Sequence, residues 1–468
     1  MASLGFKAKN LDMTKGNPIK VIIMFTLPLI LGNIFQQLYN VVDSMIVGAF
    51  EGDAAMGAVA SSGSLINLLI GLLQGISVGA GIVIAQRFGA SDKEGMSRTI
   101  HTSVLFGLIL GFIMTFIGYF LSPILLEIMK TPEEVFPLSV KYFQVYFLGV
   151  IFTVMYNFGC SIFRAIGDSR HPLYYLIAAV VVNIILDLLF VGVFKWGITG
   201  AAVATIISQA VSSFLTFYKM MHDKTDYQLH LKKLRFHKQE LLKIIAYGVP
   251  AGLQNSIVSL SNVFIQSNIN SFGQVATSGC GSYSKLEGFA TLPSSSFGMA
   301  LSNYVGQNIG AGKTERAKKG AYQGLVISMV STEILGIILF IFAPYLALLF
   351  SHTPAVNNMC VLETRTITPF YFLLAYAQGM SGILRGAGWS KTPMFTMIIC
   401  WVVVRIAGIP IALSIAGWNH IQTIFWFYPF TWGLSVIVLF LNTILSKWDK
   451  TYQKKSFSHK KTSQQEAN

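Results

Sequence analysis

Apolar stretches of about 20 residues or more recur along most of the 468-residue chain. As a helix, each stretch is long enough to cross the hydrocarbon core of a bilayer, which is about 30 Å thick. Only 12% of the residues are charged, which is about half the fraction in a typical soluble domain. The chain is therefore predicted to be an all-α polytopic membrane protein without a sizeable soluble domain.

Hydropathy and length together predict twelve membrane spans. They lie at about 21–42, 55–83, 100–122, 138–160, 173–194, 198–218, 244–268, 280–306, 322–343, 364–384, 394–414 and 422–444. The second and eighth spans are polar and rich in Gly and Ser.

Basic residues alternate between successive connections. Of the 34 Lys and Arg residues, 28 fall at the two termini and in every second loop, beginning with the loop between spans 2 and 3. Because cytoplasmic loops carry the excess of Lys and Arg, both termini are expected in the cytoplasm. The basic tail at 447–468 is then expected to lie beside anionic lipid, and the net charge of +14 does not require a nucleic-acid partner.

The cysteines and the first apolar run exclude some other classes. The four cysteines have no CxxC spacing, so neither a disulfide framework nor a metal centre is expected, and no cofactor is predicted. The first apolar run is too long for a cleaved signal peptide and is followed by eleven further spans.

Paired motifs recur at nearly one offset. VIAQRFGASDKEG at 83–95 matches YVGQNIGAGKTER at 304–316, and FRAIGDSRHP at 163–172 matches LRGAGWSKTP at 384–393, both shifted by 221 positions. The first and seventh spans align with a shift of 222. Because each half has six spans, both copies enter the membrane in the same direction, as in transporters built from parallel repeats.

This duplication predicts two six-helix lobes related by a pseudo-two-fold axis. The predicted boundaries are 1–218 for the N-lobe (spans 1 to 6), 219–243 for a basic cytoplasmic linker, 244–446 for the C-lobe (spans 7 to 12) and 447–468 for the tail. One copy of the repeat, GQNIGAGKT, resembles a phosphate-binding loop but has Gln307 where that motif needs glycine. We interpret it as a helix end and a tight turn, which disfavours an ATP-driven pump.

Four acids fall within the predicted spans. They are Asp43, Asp187, Glu287 and Glu333. Because a charge inside a bilayer is costly, such residues are candidates for function by default. Asn183 and Asp187 share one helix face, and so do Tyr39 and Asp43. Two helices of the N-lobe therefore each present a carboxylate, with interhelical hydrogen bonding for packing as the alternative.

The second copy of the repeat does not preserve these polar residues. The equivalent positions are Ile265 for Asp43, Val404 for Asn183, Gly408 for Asp187 and Trp426 for Thr205. A role in lobe packing would be expected in both copies. The comparison therefore favours a specialised function for the N-lobe.

The Pro-x-x-x-Gly-Asn start of span 1, YNVVDSMIVG at 39–48, the VGQNIGAGKTER and RGAG turns and the six-plus-six plan resemble the MATE (multidrug and toxic compound extrusion) family. The resemblance covers about residues 15–445. Within that family, the chain is most similar to the prokaryotic branch of DNA-damage-inducible protein F.

The resemblance implies an antiporter of the cell membrane that exports cationic amphipathic compounds in exchange for Na⁺ or H⁺ by alternating access. In that branch the cation-coupling site has an aspartate on span 1, an Asn-x-x-x-Asp pair on span 5 and a threonine on span 6. The matching residues, which could also hold Na⁺, are Asp43, Asn183, Asp187 and Thr205. Other branches place acids on spans 7 and 10, where this chain has Gln254, Asn255, Ala375 and Tyr376. A C-lobe cation site is therefore not expected.

Two carboxylates in one low-dielectric pocket cannot both stay charged without a counter-ion. Na⁺ or a proton could relieve the repulsion between them. We expect ion occupancy to bend span 1 near Pro28, whose ring removes a backbone hydrogen bond. The residues predicted to line the substrate cavity are Gln36, Tyr39, Asn40, Asn157 and Glu287.

Other functions stay open at this point. A lipid-linked precursor flippase of the same superfamily is the main alternative and a channel is another, but an interior with acids and few bases favours cationic cargo. A membrane-embedded enzyme would need a nucleophile–base set or a metal cluster, and the sequence has no HExxH motif. The expected partners are organic cations, other amphipathic drugs and the lipid bilayer, and the protein is expected to be a monomer.

Overall fold

The computed structural model describes residues 11–129, 131–133, 135–446 and 448. Regular structure within these residues is helical. The α-helices are α1 (Pro18–Gly89), α2 (Lys93–Ile128), α3 (Phe136–Leu148), α4 (Val150–Ala165), α5 (Arg170–Asp187), α6 (Gly197–His222), α7 (Lys238–Asn270), α8 (Gln274–Ala290), α9 (Leu292–Gly310), α10 (Thr314–Ala347), α11 (Pro354–Ile367), α12 (Tyr371–Gly386), α13 (Lys391–Met397), α14 (Val404–Ser414) and α15 (Ile421–Ser446). Short 3-10 segments at Leu231–Lys233 and Thr368–Phe370 and π-helical segments at Leu188–Val193 and Ile398–Val403 complete the set. Apart from Trp448, the predicted basic tail lies outside the described residues.

These helices correspond to the twelve predicted spans. Helix α1 contains the first two spans. They are separated by a break in the backbone at Gly52, where φ is 81°. Eight helical segments of the described residues are long and apolar enough to cross a membrane, and α3 with α4, which meet at an angle of 51°, form a ninth. The remaining three spans, formed by α7, by α8 with α9 and by α11 with α12, are shorter or more polar.

Two apolar cores follow the two halves of the chain. Phe143 and Phe158 lie in a core formed mainly by α1 to α6, the N-lobe, whereas Phe297 lies in a core formed mainly by α7 to α15, the C-lobe. Ile22 and Phe25, at the start of α1, are buried in the C-lobe core. The first turns of α1 therefore tie the lobes together, although they fall within the predicted N-lobe segment.

The repeated motifs form the same turns in both halves. Gly167 and Gly388 each have φ of 86°, a conformation that glycine adopts without steric cost, and they end α4 and α12 in matching hydrogen-bonded turns. In the GQNIGAGKT segment, α9 ends at Gly310, Gly312 has φ of 72° and α10 begins at Thr314. This segment is therefore a helix end and a tight turn, as predicted.

Reciprocal hydrogen bonds join the lobes at the end of the molecule that carries these turns. Gln86 of α1 donates through Nε2 to the carbonyl oxygen of Gly386 at 3.0 Å, and Gln307 of α9 donates to that of Ala165 at 2.8 Å. The two donors, like the two acceptors, are related by the 221-residue offset. A Cβ atom at Gly310 would overlap the Gln86 carbonyl group, so α1 and α9 cross in backbone contact. The lobes are therefore closed at the end with the basic loops.

Replacing Gly310 with alanine should destabilise this crossing. The added methyl group would meet the Gln86 carbonyl group, and such overpacking costs about 1–3 kcal/mol. The apparent melting temperature of the detergent-purified Gly310→Ala protein, followed by intrinsic fluorescence, should therefore fall. The matched control is Gly281→Ala on α8, where a Cβ atom meets nothing within 4 Å. An equal fall in both variants would contradict a specific role for the crossing.

Candidate functional site

A cleft of about 810 Å³ lies between the lobes. Its wall is formed mainly by α1, α4, α5 and α6 of the N-lobe and by α9 and α12 of the C-lobe. Seven of the residues that the sequence singled out line it: Pro28, Gln36, Tyr39, Asn40, Asp43, Asn157 and Thr205. The structure places Asn183 and Asp187 in the N-lobe behind this wall, and Glu287 inside the C-lobe.

Two of the predicted acids meet beside the cleft. Asp43 of α1 and Asp187 of α5 interact directly through their carboxyl groups. Asp187 is completely buried and Asp43 is 7% exposed. Oδ1 of Asp43 and both carboxyl oxygens of Asp187 have no hydrogen-bond donor in the described part of the chain. Facing carboxylates without donors repel each other, and a proton or a cation between them removes that repulsion.

The local backbone structure explains how Asp187 reaches this position. Helix α5 ends at Asp187, and the π-helical segment Leu188–Val193 follows at once. Single π-helical turns of this kind are frequent at functional sites. Asn183, one turn earlier on the same face, is also completely buried, and neither polar atom of its amide has a partner among the described residues. This face of α5 therefore buries an amide and a carboxylate together.

Thr205 joins the cluster from α6. Its hydroxyl oxygen lies 3.2 Å from that of Tyr39, which precedes Asp43 by one turn of α1 and lies near both carboxylates. Three helices thus supply carboxylate, amide and hydroxyl oxygens to one buried region. Hard cations prefer such oxygen ligands, and a facing carboxyl pair can alternatively share a proton. The geometry therefore suits either ion.

Glu287 belongs to a different polar group, inside the C-lobe. It lies near Tyr283 and Arg405. Arg405 is 2% exposed, donates through Nε to the Thr431 hydroxyl at 2.9 Å and has its guanidinium carbon 4.5 Å from the centre of the Tyr428 ring. The sequence named no partner for Arg405. The structure gives it a hydroxyl acceptor and an aromatic face.

Two arginines on the cleft wall were not among the predicted site residues. Arg164 of α4 and Arg385 of α12 both line the cleft, next to the carbonyl groups that join the lobes. The signal was present in the repeated FRAIG and LRGAG motifs, which were interpreted only as turns. The described residues of the cleft wall thus include one acid, Asp43, and two arginines, whereas the sequence predicts an interior with few bases.

The twelve helical spans, the two lobes and the cleft between them define a membrane transporter built from two repeats. The sequence profile of the MatE family matches residues 28–189 and 250–411, once in each half of the chain. The chain therefore belongs to the MatE family, whose members are transporters and not enzymes.

Individual relatives agree with this assignment. The chain is 32% identical to the probable multidrug resistance protein YpnP of Bacillus subtilis, over 85% of this chain and 89% of that protein. It is 27% identical to the probable multidrug resistance protein NorM of Thermotoga maritima, over 84% of each. A solved MOP superfamily transporter from Pyrococcus furiosus superposes with a TM-score of 0.89 at 24% identity, over 95% of this chain and 99% of that chain. The predicted all-α, two-lobe fold with twelve spans is confirmed.

Removing one charge of the acid pair should stabilise the protein when no ion is supplied. In Asp187→Asn, the repulsion is absent and the amide can donate to Asp43, so the apparent melting temperature in Na⁺-free buffer at neutral pH should rise. For the wild type, adding Na⁺ or acid should raise the midpoint, because an ion at 100 times its dissociation constant stabilises by about 2.7 kcal/mol. Fluorescence-detected melting curves measure both effects.

The control for this experiment is Glu333→Gln. Glu333 lies on α10, outside the acid pair, and accepts the Phe372 N–H at 2.8 Å, which the glutamine oxygen can also do. Its response to Na⁺ and pH should match that of the wild type. A wild-type midpoint that responds to neither Na⁺ nor acid would show that the pair binds no ion.

Proposed function

We propose that the protein is a secondary antiporter that exports amphipathic cations in exchange for Na⁺ or H⁺, and that Asp43 and Asp187 couple the two movements. The observation that carries the proposal is the facing pair of buried carboxyl groups, which adjoins the cleft and has three oxygens without a donor among the described residues. Asn183 and Thr205 are proposed to supply further oxygen ligands. The names of the relatives, which are multidrug resistance proteins, support this class of substrate.

The position of Asp43 gives a physical basis for coupling. Asp43 belongs both to the cleft wall and to the acid pair. An ion bound to the pair and a cationic substrate in the cleft are therefore attracted by the same carboxylate. Ion binding therefore weakens the attraction for the substrate. An inside-negative membrane potential drives the ion inward with about 2.3 kcal/mol per charge per 100 mV. Competition of this kind exchanges one cation for the other.

The lobe contacts indicate which side of the cleft is closed. The lobes meet at the end with the basic loops, which the positive-inside rule assigns to the cytoplasm. We therefore propose an outward-facing arrangement in the cell membrane, with both termini cytoplasmic. Since the cleft lies between the two lobes of one chain, a monomer suffices for transport.

Pro28 is the proposed bending point. Helix α1 continues through Pro28, and the break in its backbone angles is at Gly52. Pro28 lines the cleft and leaves one carbonyl group of the helix without its backbone donor. Ion binding at Asp43, on the same helix, is proposed to favour a bend at Pro28 that narrows the cleft and expels the substrate.

A flippase for lipid-linked precursors remains the second candidate. The observation that favours it is the presence of Arg164 and Arg385 on the cleft wall, since arginines bind phosphate groups. The acid pair has no evident task in such a protein. A response of drug efflux to an ion gradient therefore separates the two functions.

Transport by inverted membrane vesicles tests the antiporter proposal. Uptake of a cationic dye should accelerate when an outward Na⁺ or proton gradient is imposed across the vesicle membrane. Asp43→Asn and Asp187→Asn should each lower the gradient-driven rate by about tenfold or more, a loss of about 1.4 kcal/mol, because an asparagine amide neither takes up a proton nor supplies a negative charge for Na⁺. Glu333→Gln, the control acid, should transport within about twofold of the wild type.

Two results would reject the proposal in different ways. If the wild type responds to neither gradient while the vesicles hold both, the protein is not an ion-coupled antiporter. If both aspartate variants retain full gradient-driven transport at equal expression, coupling takes place elsewhere in the protein.

A further inference from the structure

Arg164 and Arg385 lie on the cleft wall, and within the described residues neither guanidinium group faces an acidic partner. The hydrogen bond described for Arg164 runs to Sδ of Met299 at 3.7 Å, and a thioether sulfur is a weak acceptor. Arg385 has no hydrogen bond in the described part of the chain, and neither arginine has an ion pair there. In both side chains Nε is buried and unpaired.

Other arginines of the protein do have partners. Arg87 forms ion pairs with Asp92 and Glu240, each at 2.6 Å. Arg316 donates to the carbonyl groups of Met13, Lys15 and Gly16, and Arg405 has a hydroxyl and an aromatic ring. Arg164 and Arg385 are half-buried, and their buried Nε atoms lack the partners that arginines removed from water normally have. They differ in this respect from the arginines just described.

Among the described residues, no acid forms an ion pair with Arg164 or Arg385. Asp168, four residues after Arg164, accepts the backbone N–H groups of Arg170 and His171 and the His171 ring N–H, and it forms no ion pair with Arg164. The positive charge of the arginine pair therefore has no counter-ion among the described residues around it.

Asp43, which is the acid among the described residues of the cleft wall, is far along the cleft. Asn33 of α1 hydrogen-bonds to Ser296 of α9. From this point α1 continues toward Asp43, whereas α9 continues in the opposite direction toward Ser302. Ser302 contacts the helix end that carries Arg385. At 1.5 Å per residue, Asp43 and the level of Arg385 are separated by roughly 20 Å. The cleft is therefore bipolar, with its acid and its arginines at different ends.

The repeat fixes the two arginines on opposite sides of one cleft. Their positions are related by the 221-residue offset, and the carbonyl groups of the next residues, Ala165 and Gly386, are held by Gln307 and Gln86 of the opposite lobe. Each guanidinium group offers several N–H donors in a planar fork, which matches the oxygens of carboxylate or phosphate.

We propose that Arg164 and Arg385 form an anion subsite that binds the carboxylate or phosphate group of an amphipathic substrate. The proposal rests on the proposed export function and narrows its substrate class. Amphiphiles that carry both a cationic and an anionic group match both ends of the cleft.

Binding of two matched dyes tests the subsite. A rhodamine with a free carboxylate and its methyl ester differ only in the anionic group, and fluorescence anisotropy with detergent-purified protein gives both dissociation constants. Arg164→Gln and Arg385→Gln should each weaken binding of the carboxylate dye by about tenfold or more. Affinity for the ester should stay within about twofold. No ion gradient is involved, so this result is independent of whether the proposed antiport is correct.

Control variants separate the subsite from general effects of charge. Arg170→Gln removes an exposed positive charge six residues after Arg164 and should leave both affinities unchanged. Arg385→Lys keeps the charge but not the planar fork, so it should lose several-fold in affinity for the carboxylate dye alone. This second variant keeps the test available if Arg385→Gln does not fold.

Lipid phosphate is distinguished from substrate carboxylate in nanodiscs. The affinity for the carboxylate dye is measured in discs that contain phosphatidylglycerol and in discs of phosphatidylcholine alone. If phosphatidylglycerol lowers this affinity in the wild type but not in Arg385→Gln, the subsite also accepts a lipid phosphate. Absence of competition leaves the substrate carboxylate as its ligand.

Equally weakened binding of both dyes in the glutamine variants would overturn the proposal. The arginines would then stabilise the C-terminal ends of α4 and α12, where they lie. Unchanged affinity in both glutamine variants would overturn it as well.

Discussion

The contact between α1 and α9 at the pseudo-two-fold axis determines the shape of the molecule. Gln86 and Gln307 each bond a carbonyl group of the opposite lobe, and glycine at 310 allows the backbones to touch. The contact closes one end of the cleft and places Arg164 and Arg385 beside that end. Each such hydrogen bond contributes only about 0.5–1.5 kcal/mol net. The contact between α1 and α9 is therefore specific in geometry yet weak enough to break during a transport cycle.

The two lobes share a backbone plan but bury different polar groups. The N-lobe buries Asp43 against Asp187, and three of their oxygens have no donor among the described residues. The C-lobe buries Arg405 against a hydroxyl and a tyrosine ring, and it also buries Glu363, one oxygen of which has no donor in the described part of the chain. The duplicated fold therefore carries different buried charges in its two lobes.

Sequence reasoning predicted the features that depend on local pattern. Hydropathy located the twelve spans, the 221-residue offset identified the two halves, and helical spacing grouped Asn183 with Asp187. It did not identify Arg164 and Arg385 as cleft residues or Glu287 as a neighbour of Arg405. Those relations depend on how the lobes dock and how the helices rotate, which no short sequence window encodes. The π-helical segment after Asp187 was not predicted either.

The distribution of charge along the cleft has a consequence for release of the substrate. In the proposed cycle, Asp43 attracts the cationic part of a substrate while the acid pair carries negative charge, and the two arginines attract its anionic part. Binding of a proton or Na⁺ lowers the negative charge of the pair, whereas the charge of Arg164 and Arg385 stays the same. A purely cationic molecule is then held less strongly, whereas a zwitterion is still held at one end. Ion binding alone would thus release cations, and a zwitterion would in addition need the cleft to change shape.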